Sequence, residues 1–355
     1  MSEINFGKKV SLKQAAEIIL STPMNRYLLQ GEAGIGKSSI IKTLQAALPN
    51  HGVAYIDVPN MDLGDVAMPV IDHDTKTTRY YPNNRFGFHT GQPMIVMLDE
   101  YTKGFDSVKN MLHPLLEINN PRLGDIPVHP DSIIFMTGNL SSDGVGDSMK
   151  AHTKNRIQPL TVAKPDFAQW SEWAMGADIA PEVLAWGKQF PHIFASYTDG
   201  GQGDNPYIFN PRKVQDAFVS PRSLERASHI IKVRKQLDTD SVIAALTGAI
   251  GESGARDLQA YLEFSDQLPT WEATIKSPKT ATVPTSAGAC AIVAYGAIAK
   301  VTKETMTPFM QYLARMDAEW QAVFCIAIAR NKTKQGVAFG CKAFADWVSR
   351  NEDLL

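Results

Sequence analysis

The residues with the clearest chemical potential lie in the glycine-rich stretch GEAGIGKSS, which follows a short apolar run and precedes apolar residues at helical spacing. Glycines let backbone N–H groups converge on a phosphate, and the start of a helix adds partial positive charge. We expect Lys37 to reach the β- and γ-phosphates and the Ser38 hydroxyl to bind Mg²⁺. A glycine-rich turn capped by serine is the simpler alternative. The pattern predicts a nucleotide site made by Gly31, Glu32, Ala33, Gly34, Ile35, Gly36, Lys37, Ser38 and Ser39.

A second chemical group is the carboxylate pair Asp99-Glu100, which ends the apolar run MIVML. We expect Asp99 to hold Mg²⁺ through its hydration shell, and Glu100 to orient and deprotonate the attacking water. A carboxylate pair at a strand end is by itself often only a helix N-cap. Combined with the phosphate loop, the pair favours hydrolysis. It argues against a small-molecule kinase, which needs no carboxylate to polarise water.

Three further polar residues are candidates for contact with the nucleotide. Asn139 ends the apolar run SIIFMTG, so its amide could hydrogen-bond the γ-phosphate or the attacking water, although Gly-Asn is also a common turn. Arg156 precedes a possible fifth strand, and Arg222 opens a helical stretch after Ser220-Pro221. For an arbitrary arginine, a surface salt bridge is the more common role.

These residues need a parallel sheet to bring them together. Near-continuous apolar strands separated by helical segments predict such a sheet, covered by helices on both faces. In a sheet of this kind the strand ends with Asp99 and Asn139 lie at one edge, where ligands bind. Residues 37–48 have the periodicity of an amphipathic helix. The predicted strands are Arg26–Gln30, Val53–Val58, Met94–Leu98, Ser132–Thr137 and, more weakly because of Pro159, Arg156–Val162.

The order of these motifs resembles that in the AAA+ ATPases, and the resemblance extends over about residues 10–235. The chain is most similar to the MoxR branch, which includes the rubisco-activase and nitric-oxide-reductase accessory ATPases and phage-borne relatives. The resemblance implies that residues 31–39 are Walker A, Asp99-Glu100 is Walker B and Asn139 is sensor 1. It further implies that Arg156 is an arginine finger offered to the next subunit, and that Arg222 is sensor 2 on a lid.

The resemblance also implies the fold and the partners. We expect a P-loop NTPase core over residues 1–164 and an α-helical lid over 165–276. The tail matches no motif of the family, and its pattern predicts a further helical C-terminal unit over 277–355. Two inserts, Asn60–Gly87 and Ile118–Pro130, should face a central pore, where Tyr80 and Tyr81 could grip a substrate or simply pack. The implied assembly is a homo-oligomeric ring, taken as a hexamer, that uses ATP and Mg²⁺. A protein with a von Willebrand factor A domain is the implied partner.

The amino-acid composition limits the classes of protein to which the chain can belong. The 355 residues are 44% hydrophobic and 20% charged, as in a globular protein, and the net charge of −2 predicts no strong attraction to nucleic acid or anionic lipid. The first residues contain no apolar signal segment. The longest apolar run is residues 287–299, which is too short to span a bilayer. The three dispersed cysteines fit a reducing cytoplasm. We therefore expect a cytoplasmic chaperone-like ATPase that remodels a protein. The alternatives are a nucleic-acid motor or restriction-type defence component, and a non-hydrolysing scaffold.

Overall fold

The computed structural model of the chain describes residues 8–140, 151–265, 268–331 and 333–354. The chain divides into two compact units, Met1–Lys164 and Pro165–Leu355. Among the described residues, no helix combines the length and the apolar character needed to cross a membrane. Residues 1–7, for which the sequence predicts no signal segment, lie outside the described residues.

The first unit is built on a five-stranded parallel sheet with the strand order β2-β5-β8-β1-β9. Its described strands are β1 Tyr27–Gln30, β2 Gly52–Asp57, β3 Ala67–Asp72, β4 Thr77–Pro82, β5 Met94–Asp99, β6 Arg122–Leu123, β7 Ile126–Pro127, β8 Ile133–Gly138 and β9 Gln158–Thr161. Its described helices are α1 Leu12–Ser21, α2 Ile40–Ala47, α3 Leu63–Val66, α4 Asp106–Leu112 and α5 Ala151–Lys154. The prediction of a five-stranded parallel sheet with flanking helices is confirmed.

Apolar residues cover both faces of this sheet, which explains why its central strands are apolar almost throughout. Alternate residues of β5, such as Ile95 and Met97, pack on one face with the buried side chains of α1 and α2. Their neighbours Val96 and Leu98 pack on the other face with the buried residues of α4. Alternation of side chains along a strand therefore supplies two cores from one run of sequence.

The helix after the phosphate loop differs at its start from the predicted residues 37–48. Lys37–Ser39 form a 3₁₀ turn, and the α-helix proper runs over Ile40–Ala47. The tighter turn follows directly on Gly36, whose φ of +100° is a left-handed conformation that side-chain-bearing residues rarely adopt. The helix ends because Leu48 leaves the α conformation after its N–H bonds Leu44 O.

Two β-hairpins extend from the sheet within the segments predicted as inserts. β3 and β4 pair antiparallel, and the carboxylate of Asp72 accepts the N–H groups of Asp74 and Thr75 at their turn. β6 and β7 form a shorter hairpin before β8. The hairpins contact each other, because Tyr80 N donates to Asp125 Oδ2 at 2.7 Å and Asp125 N donates to Tyr80 O at 2.8 Å.

The second unit is helical. Its described helices are α6 Phe167–Gly176, α7 Pro181–Gln189, α8 Pro221–Val233, α9 Thr239–Ser265 (broken at Gly251), α10 Trp271–Lys276, α11 Ala287–Lys300, α12 Lys303–Leu313, α13 Ala318–Arg330, α14 Gln335–Phe339 and α15 Lys342–Arg350. One hydrophobic core runs from Trp170 to Trp347. The predicted division of this region at residue 277 stays a prediction.

Candidate functional site

The predicted phosphate loop connects the carboxyl end of β1 to the helix α2. Lys37 is buried, with 7% of its surface exposed, and its Nζ lies within the loop. It donates to Gly31 O at 2.7 Å, to Glu32 O at 2.8 Å and to Asn139 Oδ1 at 3.3 Å. The ammonium group is thus held by oxygens at the edge of the sheet, and Asn139 is brought to the loop from the end of the neighbouring strand β8.

Asp99 lies at the end of β5 and accepts three hydroxyl groups from different parts of the chain. Ser38 Oγ donates to Asp99 Oδ1 at 3.4 Å, and Tyr55 OH donates to Asp99 Oδ2 at 2.5 Å. The buried Thr137 donates to Asp99 Oδ1 as well. These contacts follow from the strand order, because β5 lies between β2, which carries Tyr55, and β8, which carries Thr137.

Glu100 follows directly and has a left-handed backbone, with φ of 51°. Its N–H donates to Thr137 Oγ1 at 3.0 Å, so one threonine hydroxyl bonds both members of the carboxylate pair. The side chain folds back on the next turn, where Glu100 Oε2 lies 2.6 Å from Lys103 Nζ. This contact is an ion pair without the angles of a hydrogen bond. The candidate water-polarising carboxylate is therefore paired with a lysine three residues along the chain.

The donor set at this edge suits Mg²⁺ and phosphate. Magnesium prefers oxygen ligands, usually one or two carboxylates or hydroxyls together with phosphate and water. The Ser38 hydroxyl and the Asp99 carboxylate are such donors, and they lie within 3.4 Å of each other. The Lys37 ammonium and the N–H groups of the loop supply positive charge next to them. The residues thus fit a magnesium-bound nucleotide.

Arg156 lies away from this group of residues. It precedes β9, whose first residue, Gln158, pairs with Tyr27 at the start of β1, whereas the phosphate loop follows the last residue of β1. Three residue steps along β1 span about 10 Å. Arg156 is therefore at the amino ends of the strands, opposite to the phosphate loop, and its Nε lies 2.9 Å from Glu117 Oε1.

A buried arginine, Arg26, bonds the backbone at this end of the strands. Arg26 is 3% exposed, and its guanidinium donates to the carbonyl oxygens of Leu115 at 2.9 Å, Met24 at 2.7 Å and Glu117 at 3.3 Å. Burial lowers the pKa of Arg26 to about 10, which still leaves the group charged at neutral pH. The three carbonyl dipoles compensate a charge that would otherwise be costly to bury.

Arg222 is in the second unit. It is the second residue of α8, which begins at the N-cap Ser220 through a reciprocal bond with Ser223. The side chain of Arg222 is exposed. Its predicted role as sensor 2 on a lid stays a prediction.

Several residues of this site were not predicted from the sequence. Tyr55 and Thr137 contact Asp99 across a sheet whose strand order the sequence does not state, so no local signal marks them. Lys103 carries a weak signal, since a lysine three residues after a carboxylate can pair with it. Glu117 and Arg26 were not singled out at all.

Comparisons with known proteins give distant likenesses. Residues 2–80 match the family described as Protein of unknown function (DUF815), which is less than half of the chain. No curated protein sequence matches the chain. Among solved structures, NtrX from Brucella abortus in complex with ADP is 13% identical, with a TM-score of 0.39 over 97% of this chain and 67% of that one. The Thermotoga maritima RuvB Holliday junction branch migration motor is 14% identical, with a TM-score of 0.36 over 73% of this chain and 77% of that one.

Proposed function

We propose that this chain is an AAA+ ATPase that assembles into a ring and uses ATP hydrolysis to remodel a protein partner. The observation that carries the proposal is the separation of the two groups described above. The candidate hydrolytic residues Lys37, Ser38, Asp99, Glu100 and Asn139 lie together at the carboxyl ends of the strands, while Arg156 lies at the opposite ends. An arginine in that position can act on a nucleotide only in another subunit, which is how a ring ATPase supplies its finger.

Each residue at the loop edge has a chemical task in this proposal. Lys37 exchanges the neutral oxygens of Gly31 and Glu32 for phosphate oxygens, which carry more charge and bind an ammonium group more strongly. Ser38 and Asp99 would hold Mg²⁺, which would neutralise charge on the phosphates. Glu100 leaves Lys103 and accepts a proton from the attacking water. Asn139 holds the γ-phosphate or that water through its amide.

The proposed partner is a protein because of the side chains on the hairpin β3–β4. Its apolar residues are unusually exposed, with Met68 at 56%, Ile71 at 63% and Tyr80 at 45%. Exposed apolar groups of this kind are typical of protein-binding surfaces. Two of the three lysine and arginine residues of the same insert have acidic neighbours, since Arg79 lies 3.8 Å from Asp72 and Arg85 lies 2.5 Å from Asp65. Such pairs offer little net charge to a nucleic-acid backbone.

We place the chain within the MoxR branch as part of the same proposal. The two hairpins in Asn60–Gly87 and Ile118–Pro130, and their contact through Tyr80 and Asp125, support it. The branch suggests a hexameric ring with the hairpins facing its pore and a partner that carries a von Willebrand factor A domain.

Nucleotide binding and hydrolysis separate cleanly in an experiment with two variants. Lys37→Ala should lose ATP binding, measured with a fluorescent ATP analogue in the presence of Mg²⁺. Glu100→Gln should bind the analogue normally and lose hydrolysis by at least about 100-fold, the usual contribution of a general base. Hydrolysis by Glu100→Gln at the wild-type rate would contradict the assignment. Stimulation of the wild-type rate by double-stranded DNA, and not by a protein bearing a von Willebrand factor A domain, would favour the nucleic-acid motor.

A further inference from the structure

The contacts around Arg156 give it a defined support within its own subunit. Glu117 is bonded to the guanidinium through Oε1 and Nε, and both side chains are partly exposed, at 45% and 34%. Glu117 lies between α4 and the hairpin β6–β7, outside the strands of the main sheet. The pairing of those strands therefore does not fix its position. Its position must come from other contacts.

The N–H of Glu117 donates to Pro114 O at 3.4 Å, and Arg26 adds contacts from a distant part of the chain that join both segments. Its guanidinium holds the backbone of Glu117 through the carbonyl oxygens of Leu115 and Glu117 itself. Its own carbonyl oxygen accepts the N–H of Gln158, two residues after Arg156, at 2.8 Å. One buried residue directly before β1 therefore bonds the backbone near each member of the Glu117–Arg156 pair.

We infer that Glu117 is a positioning residue for the arginine finger, held in place by Arg26, and that it orients Arg156 toward the nucleotide of the neighbouring subunit. The inference rests on the proposed function, because it assigns a task to Glu117 only if Arg156 acts across an interface. An arginine side chain has several rotatable bonds, and fixing its Nε restricts the directions in which its terminal nitrogens point. The carboxylate thereby lowers the ordering cost of the engaged state.

Glu117 also lies next to one of the two hairpin segments. The residue directly precedes the segment Ile118–Pro130, which contains the hairpin β6–β7 and, through Asp125, contacts Tyr80 of the other hairpin. The carboxylate that holds Arg156 and the hairpin β6–β7 therefore lie on one short stretch of chain.

Mixed rings test the inference, because they separate the subunit that donates the finger from the subunit that hydrolyses. A donor Glu100→Gln has an intact finger and an inactive site, whereas an acceptor Arg156→Ala has an intact site and no finger. Their mixture should recover ATPase activity that neither variant has alone. If it recovers none, the trans-acting finger itself is wrong, and the role of Glu117 is overturned with it.

Glu117→Ala is then added to one partner at a time. In the donor it should lower kcat of the mixture about two- to five-fold, which is the effect expected from the loss of a partly exposed ion pair. The KM for ATP should stay unchanged. In the acceptor it should leave the mixture at its parent rate, which makes this placement the matched control. Equal losses in both placements would show a merely structural role, and an unchanged or higher rate with the donor placement would also overturn the inference.

A conservative variant completes the design. Glu117→Gln retains an oxygen that can accept the Arg156 Nε–H, so in the donor it should keep at least half of the parent rate. The fold should tolerate both variants, because Arg26 bonds the backbone oxygen of Glu117 and not its carboxylate. A glutamine variant as slow as the alanine variant would contradict orientation through this hydrogen bond.

Discussion

The hydroxyl of Thr137 is a single group that bonds both the carboxylate of Asp99 and the backbone of Glu100. It donates to Asp99 and accepts the N–H of Glu100, and the side chain is 1% exposed. Thr137→Val removes the hydroxyl and keeps the shape, so no cavity forms. A hydrogen bond to a charged group contributes roughly 1.5–3 kcal/mol, and a buried donor left unsatisfied costs roughly 1–3 kcal/mol. Because Asp99 and Glu100 are partly exposed, we expect a net loss of about 2 kcal/mol.

Two measurements check this expectation. A loss of about 2 kcal/mol should lower the midpoint of thermal unfolding of the first unit by about 4–8 °C. Steady-state ATPase assays should give a kcat about ten-fold lower, because small misplacements of catalytic groups are costly. Thr137→Ser keeps the hydroxyl and is the matched control, with kcat within about two-fold of the wild type. A Thr137→Val variant with wild-type kcat would refute the claim that this hydroxyl positions the carboxylates.

Two other substitutions test separate parts of the structure. Lys103→Met releases Glu100 from its ion pair at 2.6 Å and should raise kcat by up to about five-fold, whereas the control Lys109→Met, which breaks the pair with Asp106 at 3.2 Å, should not. A slower Lys103→Met variant would show that the lysine assists Glu100. Gly251→Ala should destabilise the second unit by about 2–4 kcal/mol, because its φ is +78° and a Cβ would lie 2.7 Å from Ala217 O. The control Gly248→Ala, where a Cβ meets nothing within 4 Å, should be neutral or stabilising by up to about 1 kcal/mol, and equal thermal midpoints for the two variants would contradict the account.

The sheet was largely predictable because its three central strands, β1, β5 and β8, are buried on both faces. An apolar run such as residues 94–98 has no polar positions to interrupt it, and the observed strand Met94–Asp99 differs from it by one residue. The last strand was harder to predict, since Pro159 lies within it. It is an edge strand of the sheet, where a missing backbone N–H is tolerated.

The predicted site residues divide by their dependence on topology. Lys37, Asp99 and Asn139 follow apolar strands, so a parallel sheet alone suffices to bring them to one edge. Tyr55 is 44 residues from Asp99 in the chain, and its contact depends on which strand lies beside β5. Glu117 depends on a buried arginine 91 residues away. Contacts of this kind are set by tertiary packing, which local patterns do not encode.

The most direct test of the central claim is the ATPase rate per subunit as a function of protein concentration, with particle size measured with and without ATP. We predict that the rate rises cooperatively as the subunits assemble. Arg156→Ala should assemble and bind ATP but lose hydrolysis by about 10³-fold or more, the usual contribution of an arginine finger. A monomer that hydrolyses at the full rate, together with an Arg156→Ala variant of wild-type activity, would contradict the ring mechanism.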